Sequence, residues 1–228
     1  MMRGDSEALK RSLREILPAD RIVSEAPALE QYGADWYWKS VAAAAIPEPL
    51  GHADVAVLPL TTEEVSAIVR AAGKHGVPIS PWGGGSGVNG ASVPTEGGLV
   101  IDMRRMDKVL RVDNESLVAY VQPGIICQTF EDYLNGLGLT FPHYPASGDL
   151  GTLGGYAACR GSGVASTRYG KMEDLTISLE VVLPDGSVIR TLAVNRHSCG
   201  PDLTNLFVGA EGTMGIITEL TVRIARQP

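Results

Sequence analysis

The stretch PWGGGSGVNG, residues 81–90, contains a G-x-G-x-x-G spacing at Gly85, Gly87 and Gly90. Where a helix follows directly, this spacing lets free helical amides and the helix dipole bind the pyrophosphate of a dinucleotide. Here the chain continues as ASVPTEGG, with Pro94, two more glycines and no helical period. No acidic residue that could bind a ribose ends a following strand about 20 residues later. The spacing therefore does not predict a nicotinamide-type site.

The glycines of this loop still require an explanation. Gly83, Gly84 and Gly85 can all adopt positive φ and so direct several backbone amides at one anion. A flexible surface turn is the alternative. The loop follows a predicted strand, and open α/β units bind ligands at the carboxyl ends of their strands. That position favours an anion-binding loop.

Two further stretches are rich in glycine. HYPASGDLGTLGGYAACRGSG begins at His143 and places Ser147, Asp149 and Thr152 just before a predicted helix of small residues. Such a face admits a bulky ligand close to the backbone, although close packing of a helix on a sheet would use the same residues. GAEGTMGII, from Gly209, again places glycines at the start of a buried strand. Three glycine-rich edges predict an extended ligand such as a dinucleotide.

The composition limits the class of protein. The chain has 228 residues, 44% hydrophobic and 20% charged, which is typical of one large or two small globular domains. Its formal charge of −7 argues against nucleic acid or an anionic membrane as a partner. No apolar run reaches the roughly 20 residues of a transmembrane helix, and the charged first segment predicts a short amphipathic helix. Three unpatterned cysteines and four scattered histidines predict reduced thiols, a cytoplasmic location and no metal site.

The elements around the first loop predict a parallel strand–helix–strand unit. DVAVLPL, from Asp54, has the apolar run of a buried strand, and VPIS resumes a strand before the loop. Between them, Thr61 and Glu64 form a capping-box pattern and Gly76 stands where a left-handed C-terminal residue is needed. Residues 31–49 have no regular pattern, and we expect Trp36, Tyr37 and Trp38 to pack there as anchors.

The second half of the chain predicts mainly antiparallel structure. It offers, in order, the strand GLVIDM, the paired strands KVLRV and LVAYVQ, the helix IICQTFEDYLNGLG closed by Gly136 or Gly138, the small-residue helix TLGGYAACRGSGV, the hairpin LTISLEVVLPDGSVIRT, the short helix DLTNLFVG and the strand TMGIITELTVRIAR. The sequence thus predicts two α/β lobes, one small with a parallel βαβ unit and one larger and mainly antiparallel.

Four collinear blocks resemble one family. PISPWGGGSGVNG, PASGDLGTLGG, TRYGKMEDLTISLEVVLPDGSVIRT and GPDLTNLFVGAEGTMGIITE are similar to the FAD-binding domain of the FAD-linked oxidases, the superfamily of vanillyl-alcohol oxidase, glycolate oxidase and D-lactate dehydrogenase. The last block is most similar to the alkyldihydroxyacetonephosphate synthase branch. The resemblance runs from about Tyr32 to Arg223. It implies an α+β PCMH-type FAD-binding domain over residues 51–228, with lobes of about 51–105 and 106–228 and a lead-in over 1–50.

The resemblance also implies a set of FAD-binding residues. These are Trp82, Gly83, Gly84, Gly85, Ser86 and Gly87 around the pyrophosphate; Ala146, Ser147, Asp149, Thr152, Gly154 and Gly155 along the pyrophosphate and isoalloxazine; Cys159, Arg160 and Ser162 along the flavin; and Glu211, Gly212, Gly215, Ile216 and Ile217 near the adenosine. Some relatives bind the flavin covalently through a histidine. The loop here has Ser86 and no histidine, so the resemblance implies non-covalent FAD.

The function implied by the resemblance is a flavin-dependent oxidoreductase. Its flavin N5 would accept a hydride from an alcohol or a 2-hydroxy acid, and Arg160 or Arg168 could stabilise charge on the ring. Both arginines could equally be surface or carboxylate-paired residues. His143 and Tyr169 are weak candidates for a base. An FAD- or nucleotide-binding module without catalysis and an alkyl-for-acyl transferase are the alternatives.

Relatives of this superfamily continue into a cap domain that supplies most substrate contacts. This chain stops at Arg226-Gln227-Pro228, so we expect either a fragment or one subunit of a split enzyme. The expected partners are a small-molecule substrate, a cap-domain subunit and an electron-acceptor protein.

Overall fold

The computed structural model describes residues 4–43 and 50–228. The chain divides into two compact units: unit 1 runs to Arg105 and includes Val182–Val188, and unit 2 comprises Met106–Val181 and Ile189–Pro228. In the described part of the chain, no helix is both long and apolar enough to cross a lipid bilayer.

Unit 1 is built on a four-stranded sheet. Its elements are α1 (Ser6–Ile16), β1 (Ile22–Val23), α2 (Ala26–Leu29), α3 (Trp38–Ala43), β2 (Val55–Val57), α4 (Thr62–His75), β3 (Ile79–Trp82) and β4 (Leu99–Asp102). The strand order is β1-β2-β4-β3, with β2 and β3 both parallel to β4 and β1 antiparallel to β2. The predicted parallel strand–helix–strand unit, β2–α4–β3, is confirmed, and the glycine loop follows its second strand.

Helix α4 begins and ends where the sequence predicts. The Thr61 side chain accepts a hydrogen bond from the Glu64 amide, and Gly76 closes the helix at φ +65°. The Glu64 carboxylate, however, accepts hydrogen bonds from the Leu60 amide and from Arg21. The hydrogen bonds from the Arg21 guanidinium lower the pKa of Glu64. The Glu64 carboxylate of the predicted capping box is thus also the acceptor of an ion pair to Arg21, the residue that precedes β1.

The segment 31–49 differs from its prediction. It contains α3, and residues 44–49 lie outside the described part of the chain. Trp36 and Trp38 are 62% and 66% exposed, so the expectation that they pack as anchors is wrong. The buried anchor of this region is Tyr32, which is 1% exposed and stacks edge-on against Trp82 at 5.2 Å.

Unit 2 is built on a five-stranded sheet. Its elements are β5 (Val109–Asp113), β6 (Val118–Val121), α5 (Cys127–Asn135), β7 (Leu139–Thr140), α6 (Leu153–Ala158), α7 (Ser166–Tyr169), α8 (Met172–Leu175), β8 (Thr176–Val182), β9 (Val188–Arg190), α9 (Thr204–Phe207), β10 (Ile216–Arg223) and β11 (Ala225–Arg226). The strand order is β5-β6-β10-β8-β9. The pair β5–β6 is antiparallel as predicted, and β6 also pairs antiparallel with β10. Short strands β7 and β11 form a separate antiparallel pair that the sequence did not predict.

The end of α5 separates the two glycines proposed to close it. Gly136 follows the helix at φ −62°, whereas Gly138 adopts φ +71° two residues later. Glycine pays no steric penalty in the left-handed region. Gly138 is thus the residue that reverses the chain into β7.

Two glycines at the end of α4 offer a matched test of backbone conformation. Gly76 has φ +65°, and an added Cβ would meet only the Gly4 Cα at 4.0 Å; Gly73 is helical with nothing within 4 Å. Gly76→Ala should therefore lower the free energy of unfolding by about 1 kcal/mol through backbone strain alone. Gly73→Ala should raise it by about 0.5–1 kcal/mol. Urea unfolding of both variants checks the opposite signs, and a shared sign would contradict the assigned helix end.

Candidate functional site

The glycine loop of unit 1 leaves β3 at Trp82, which is 5% exposed. Of Gly83, Gly84 and Gly85, all of which can adopt positive φ, only Gly85 does so here, at +62°. A Cβ at Gly85 would lie 2.5 Å from Cζ2 of Trp82. The buried indole therefore forms the inner wall of the loop, and position 85 has no room for a side chain.

The amides of this loop are available to a ligand. Within residues 4–43 and 50–228, the N–H groups of Gly84, Gly85 and Ser86 donate to no protein acceptor. These residues are half-buried. Partly enclosed amides without acceptors are the groups that bind anions in loops of this kind.

Asp35 holds the far end of the loop, and the sequence analysis missed it. Its carboxylate is 8% exposed and accepts hydrogen bonds from the amides of Gly90 and Tyr37, each at 2.9 Å. The Trp36 amide donates to the carbonyl of Gly87 at 2.9 Å. Gly90, at φ +81°, packs on the Tyr37 ring. A lone acid in an irregular segment gave no pattern from which this contact could be predicted.

A second buried carboxylate fixes the strand beside the loop. Asp102 is fully buried and is the register partner of Trp82. It accepts hydrogen bonds from the Tyr32 hydroxyl at 2.8 Å and from Arg104 Nη2 at 2.6 Å. Burial, the largest cause, together with the Asp102 charge raises the pKa of Tyr32 well above its usual range. Tyr32 therefore stays a neutral donor. Its ring packs edge-on against the indole of Trp82.

In unit 2, the small-residue helix α6 uses its glycines in two ways. Thr152 caps the helix, accepting a hydrogen bond from the Gly155 amide at 3.2 Å. A Cβ at Gly154 would lie 2.5 Å from Cβ of Pro123, so Gly154 serves close packing. Gly155 is exposed. Close packing, one of the two interpretations of this stretch, thus applies to Gly154. Of these two glycines, Gly155 is the one with exposed backbone, as the interpretation of ligand access requires.

The segment before α6 is a tight turn. The Tyr156 hydroxyl donates to the carbonyl of Ser147 at 2.8 Å and lies 2.9 Å from the Ser147 hydroxyl. Burial raises the pKa of Tyr156 to about 12, so it remains a donor. Ala146 and Asp149 are exposed at the surface of the turn.

The start of β10 joins this region. The amides of Gly209 and Glu211 donate to the carbonyls of Ala157 and Ala158, both at 2.9 Å. Two of the three glycine-rich edges are therefore brought together within unit 2. Glu211 and Gly212 have positive φ, at +49° and +81°. Ile216 and Ile217 are buried, at 6% and 8% exposed.

The imidazole ring of His143 is fully buried. In the described residues, neither Nδ1 nor Nε2 finds a partner, and the ring packs against Tyr156 at 4.9 Å and Phe141 at 5.9 Å. Burial lowers the pKa of His143 to about 4. Gly161 faces the ring, since a Cβ there would lie 3.4 Å from Nε2. A neutral imidazole is thus held behind the segment Cys159–Ser162.

The two candidate arginines differ in their contacts. Arg160, at φ +57°, donates from Nε to Glu173, and its side chain covers Gly209. Arg168 is exposed and lies over the Tyr169 ring at 5.0 Å. Arg160 is therefore a carboxylate-paired arginine, and Arg168 has the more open guanidinium.

Other chemistries have little support in the described residues. No group of three or more His, Cys, Asp or Glu side chains there could hold a metal ion. Cys127, Cys159 and Cys199 are free thiols. Burial raises the pKa of Cys127 to about 12, which leaves it an inert thiol.

Comparison with known sequences identifies what the chain is similar to. The profile of a family described as an FAD binding domain matches residues 53–192. The chain is 43% identical over 176 residues to the mitochondrial D-lactate dehydrogenase [cytochrome] of Arabidopsis thaliana, covering 77% of this chain and 31% of that protein. It is 40% identical over 185 residues to the glycolate oxidase subunit GlcD of Bacillus subtilis, covering 81% and 39%.

Solved structures give the same comparison in three dimensions. Alkyldihydroxyacetonephosphate synthase superposes with a TM-score of 0.89 at 32% identity, covering 99% of this chain and 45% of that one. p-Cresol methylhydroxylase superposes with a TM-score of 0.82 at 24% identity, which shows a shared fold. The chain spans less than half the length of each of these relatives.

The buried imidazole should make stability depend on pH. The pKa of His143 is about 4 in the folded chain and about 6.5 in the unfolded chain, so only the unfolded chain binds this proton between those values. Above about pH 6.5 the ring is neutral in both states and the free energy of unfolding keeps its full value. As the pH falls towards 4, protonation of the unfolded chain lowers the free energy of unfolding by up to about 3 kcal/mol. His143→Phe should flatten this slope in urea unfolding at several pH values.

His52→Gln, at an exposed histidine, is the control and should keep the wild-type slope. Equal slopes in wild type and His143→Phe would contradict a neutral buried ring.

Proposed function

Since the chain belongs to the family of FAD-binding domains, we propose that it is the FAD-binding part of a flavin-dependent oxidoreductase that acts on an alcohol or a 2-hydroxy acid. FAD is the cofactor of this family, whose profile covers residues 53–192 of the chain. The relatives named for D-lactate and glycolate support the substrate class.

The observation that carries the proposal is the loop Trp82–Gly87. Its amides at Gly84, Gly85 and Ser86 have no acceptor in the described chain, and a Cβ at Gly85 would collide with the Trp82 indole. Loops that bind a pyrophosphate need these two properties, free amides and close backbone approach. We propose that this loop, including Gly83 and Gly87, binds the FAD pyrophosphate. The loop has Ser86 and no histidine that could bond covalently to the flavin, which supports non-covalent binding.

Unit 2 supplies the second set of proposed contacts. Exposed backbone at Gly155 and the exposed turn residues support a role for this region in holding the cofactor. We propose that FAD contacts Ala146, Ser147, Asp149, Thr152, Gly154 and Gly155 of the turn and helix; Cys159, Arg160 and Ser162 after it; and Glu211, Gly212, Gly215, Ile216 and Ile217 of the strand start. For Gly154, Ile216 and Ile217 the packing of the chain favours backbone contact.

The chemistry divides between the cofactor and the chain. When bound, FAD supplies the capacity to take a hydride from a carbinol carbon at its N5 atom. The chain's residues bind and orient it, and Arg168 has the open guanidinium that could face developing negative charge. Arg160 is already neutralised by Glu173. The full burial of His143 supports a role in the wall of the site, because a base must reach its substrate.

A second candidate is exchange of an acyl for an alkyl group without net oxidation. Structural similarity to alkyldihydroxyacetonephosphate synthase over 99% of this chain favours it. Reduction of the bound flavin separates the two candidates. Bleaching of the visible flavin absorption by glycolate or D-lactate without oxygen would support the oxidoreductase.

We propose a cytoplasmic location, supported by three free thiols, and a small-molecule substrate. A cap-domain polypeptide and an electron-acceptor protein are the partners we propose, since the chain spans 31% and 39% of its two named relatives. An FAD-binding role without turnover is the alternative if bound flavin is not reduced by any such substrate.

A visible absorption spectrum tests the cofactor. Purified protein mixed with FAD should keep the flavin bands through gel filtration and release the flavin in acid. Gly85→Ala should weaken FAD binding about tenfold in a fluorescence titration, because the added Cβ would collide with the Trp82 indole and displace the loop amides. A loss of about 1.4 kcal/mol in binding free energy corresponds to that factor.

Gly73→Ala, on the exposed side of α4, is the matched control and should bind FAD as the wild type does. If Gly85→Ala folds and also binds FAD unchanged, the loop is not the pyrophosphate site.

A further inference from the structure

The glycine loop of unit 1 is held in different ways at its two ends. The first end continues β3 and lies against the buried indole of Trp82, which a Cβ at Gly85 would meet at 2.5 Å. The second end, residues 87–90, is held by a side chain and an amide of residues 35–40. That segment precedes residues 53–192, which the family profile matches. Its contact with the loop is therefore a feature that the match does not cover.

Asp35 is the centre of this contact. Its Oδ2 accepts a hydrogen bond from the Gly90 amide at 2.9 Å, and its Oδ1 accepts from the Tyr37 amide at 2.9 Å and the Ser40 hydroxyl at 3.0 Å. Asp35 and Ser40 are 8% and 5% exposed. Hydrogen bonds to a charged acceptor are stronger than neutral ones, and shielding from water strengthens them further. One buried carboxylate thus joins the end of the loop to the start of α3.

The geometry at position 35 requires a carboxylate. The amides of Tyr37 and Gly90 can only donate, and each faces a different oxygen of Asp35. An asparagine has one oxygen and one NH₂ group, so it would direct a donor at one of the two amides. Asp35→Asn therefore breaks one of these bonds while it keeps the size of the side chain.

A carboxylate beside an anion-binding loop acts on the anion in two opposite ways. Its charge repels a pyrophosphate. Its hydrogen bond to Gly90 restrains the loop, and the apparent dissociation constant of a ligand falls as the fraction of molecules in the binding conformation rises. Because the two amides and the Ser40 hydroxyl already surround the charge of Asp35, we expect the restraint to outweigh the repulsion.

Given the FAD site proposed above, on which this inference rests, we propose that Asp35 is a positioning residue of the loop that binds the FAD pyrophosphate. It acts through the Gly90 amide and holds the end of the loop, so that the amides of Gly84, Gly85 and Ser86 keep one arrangement. The lead-in before β2 thus contributes to the cofactor site.

Fluorescence titration of the full chain with FAD tests the proposal. In Asp35→Asn the dissociation constant should rise about tenfold, because one amide loses its charged acceptor and fewer molecules hold the loop in the binding conformation. Asp54→Asn is the matched control. The Asp54 carboxylate also accepts from a glycine amide, that of Gly98 at 3.1 Å, and from a serine hydroxyl, that of Ser6 at 2.7 Å. It precedes β2, at the other end of the strands from the loop, so its FAD affinity should stay within about twofold of wild type.

Two further variants separate positioning from stability. Ser40→Ala removes one donor to Asp35 and keeps the Gly90 bond, so it should lower the urea midpoint and leave FAD affinity within about twofold of wild type. Gly90→Ala alters the loop side of the contact, since Gly90 has φ +81° and an added Cβ would lie 3.3 Å from the Tyr37 ring. It should weaken FAD binding about fivefold, because the loop must shift to relieve the strain. Gly90→Ala decides the matter if Asp35→Asn does not fold.

Hydrogen exchange of the Gly90 amide, followed by NMR without FAD, tests the contact separately from the cofactor. Exchange should be about tenfold faster in Asp35→Asn than in wild type, because the amide loses its acceptor or the loop opens more often. Asp54→Asn should exchange at the wild-type rate.

Unchanged FAD binding in folded Asp35→Asn would overturn the proposal and leave the FAD site intact. Tighter binding would also overturn it, since the carboxylate would then act by repulsion. An equal loss of affinity in Asp54→Asn or Ser40→Ala would show a general effect of stability and would overturn it as well. A wild-type chain that binds no FAD would overturn the proposed function and this inference with it, so the wild-type titration distinguishes the two failures.

Discussion

A loop that binds an anion with its own amides cannot use those amides to hold itself in place. Buried carboxylates of unit 1 supply the missing restraint. Asp35 accepts the Gly90 and Tyr37 amides on one side of the loop, and Asp102 binds Tyr32, on which the Trp82 indole rests. Removing one partner of such a buried charge leaves an unpaired carboxylate at a cost of several kcal/mol. The open amides of Gly84 to Ser86 therefore depend on side chains that lie outside the loop.

In unit 2 a buried carboxylate also holds neighbouring chain segments through hydrogen bonds. Glu131, 4% exposed, accepts hydrogen bonds from the Thr140 hydroxyl at 2.7 Å, the Phe141 amide at 2.6 Å and the Tyr144 hydroxyl at 2.7 Å. These bonds hold the chain that leads to His143, and Tyr144 is kept at φ +46°. A left-handed non-glycine residue is strained, and it persists because several contacts fix it. The residues that lead into the turn before α6 are consequently fixed by hydrogen bonds to Glu131.

Glycine has a second role besides conformational freedom. At Gly163 an added Cβ would overlap the carbonyl of His143, and at Gly154 it would meet Pro123. Such backbone contacts bring segments distant in sequence together without intervening side chains. The joining of α6 to the start of β10 through Gly209 and Glu211 completes this arrangement in unit 2. Direct contacts between backbone segments thus contribute to the packing of unit 2.

The sequence alone determined the elements whose signals are local. Thr61 and Gly76 mark the ends of α4 because caps are read from neighbouring residues, and the parallel unit β2–α4–β3 follows from its apolar periods. The collinear glycine blocks determined the family, because their backbone requirements extend along the chain. Tertiary structure alone decided which glycine of the loop takes positive φ, that Glu64 binds Arg21, and that Trp36 and Trp38 are exposed while Tyr32 is buried. It also decided that Asp35 and Glu131 accept hydrogen bonds from neighbouring loops, and that the His143 ring is buried without a hydrogen-bond partner among the described residues. These outcomes depend on contacts between residues far apart in sequence, for which a single sequence carries no periodic or local signal.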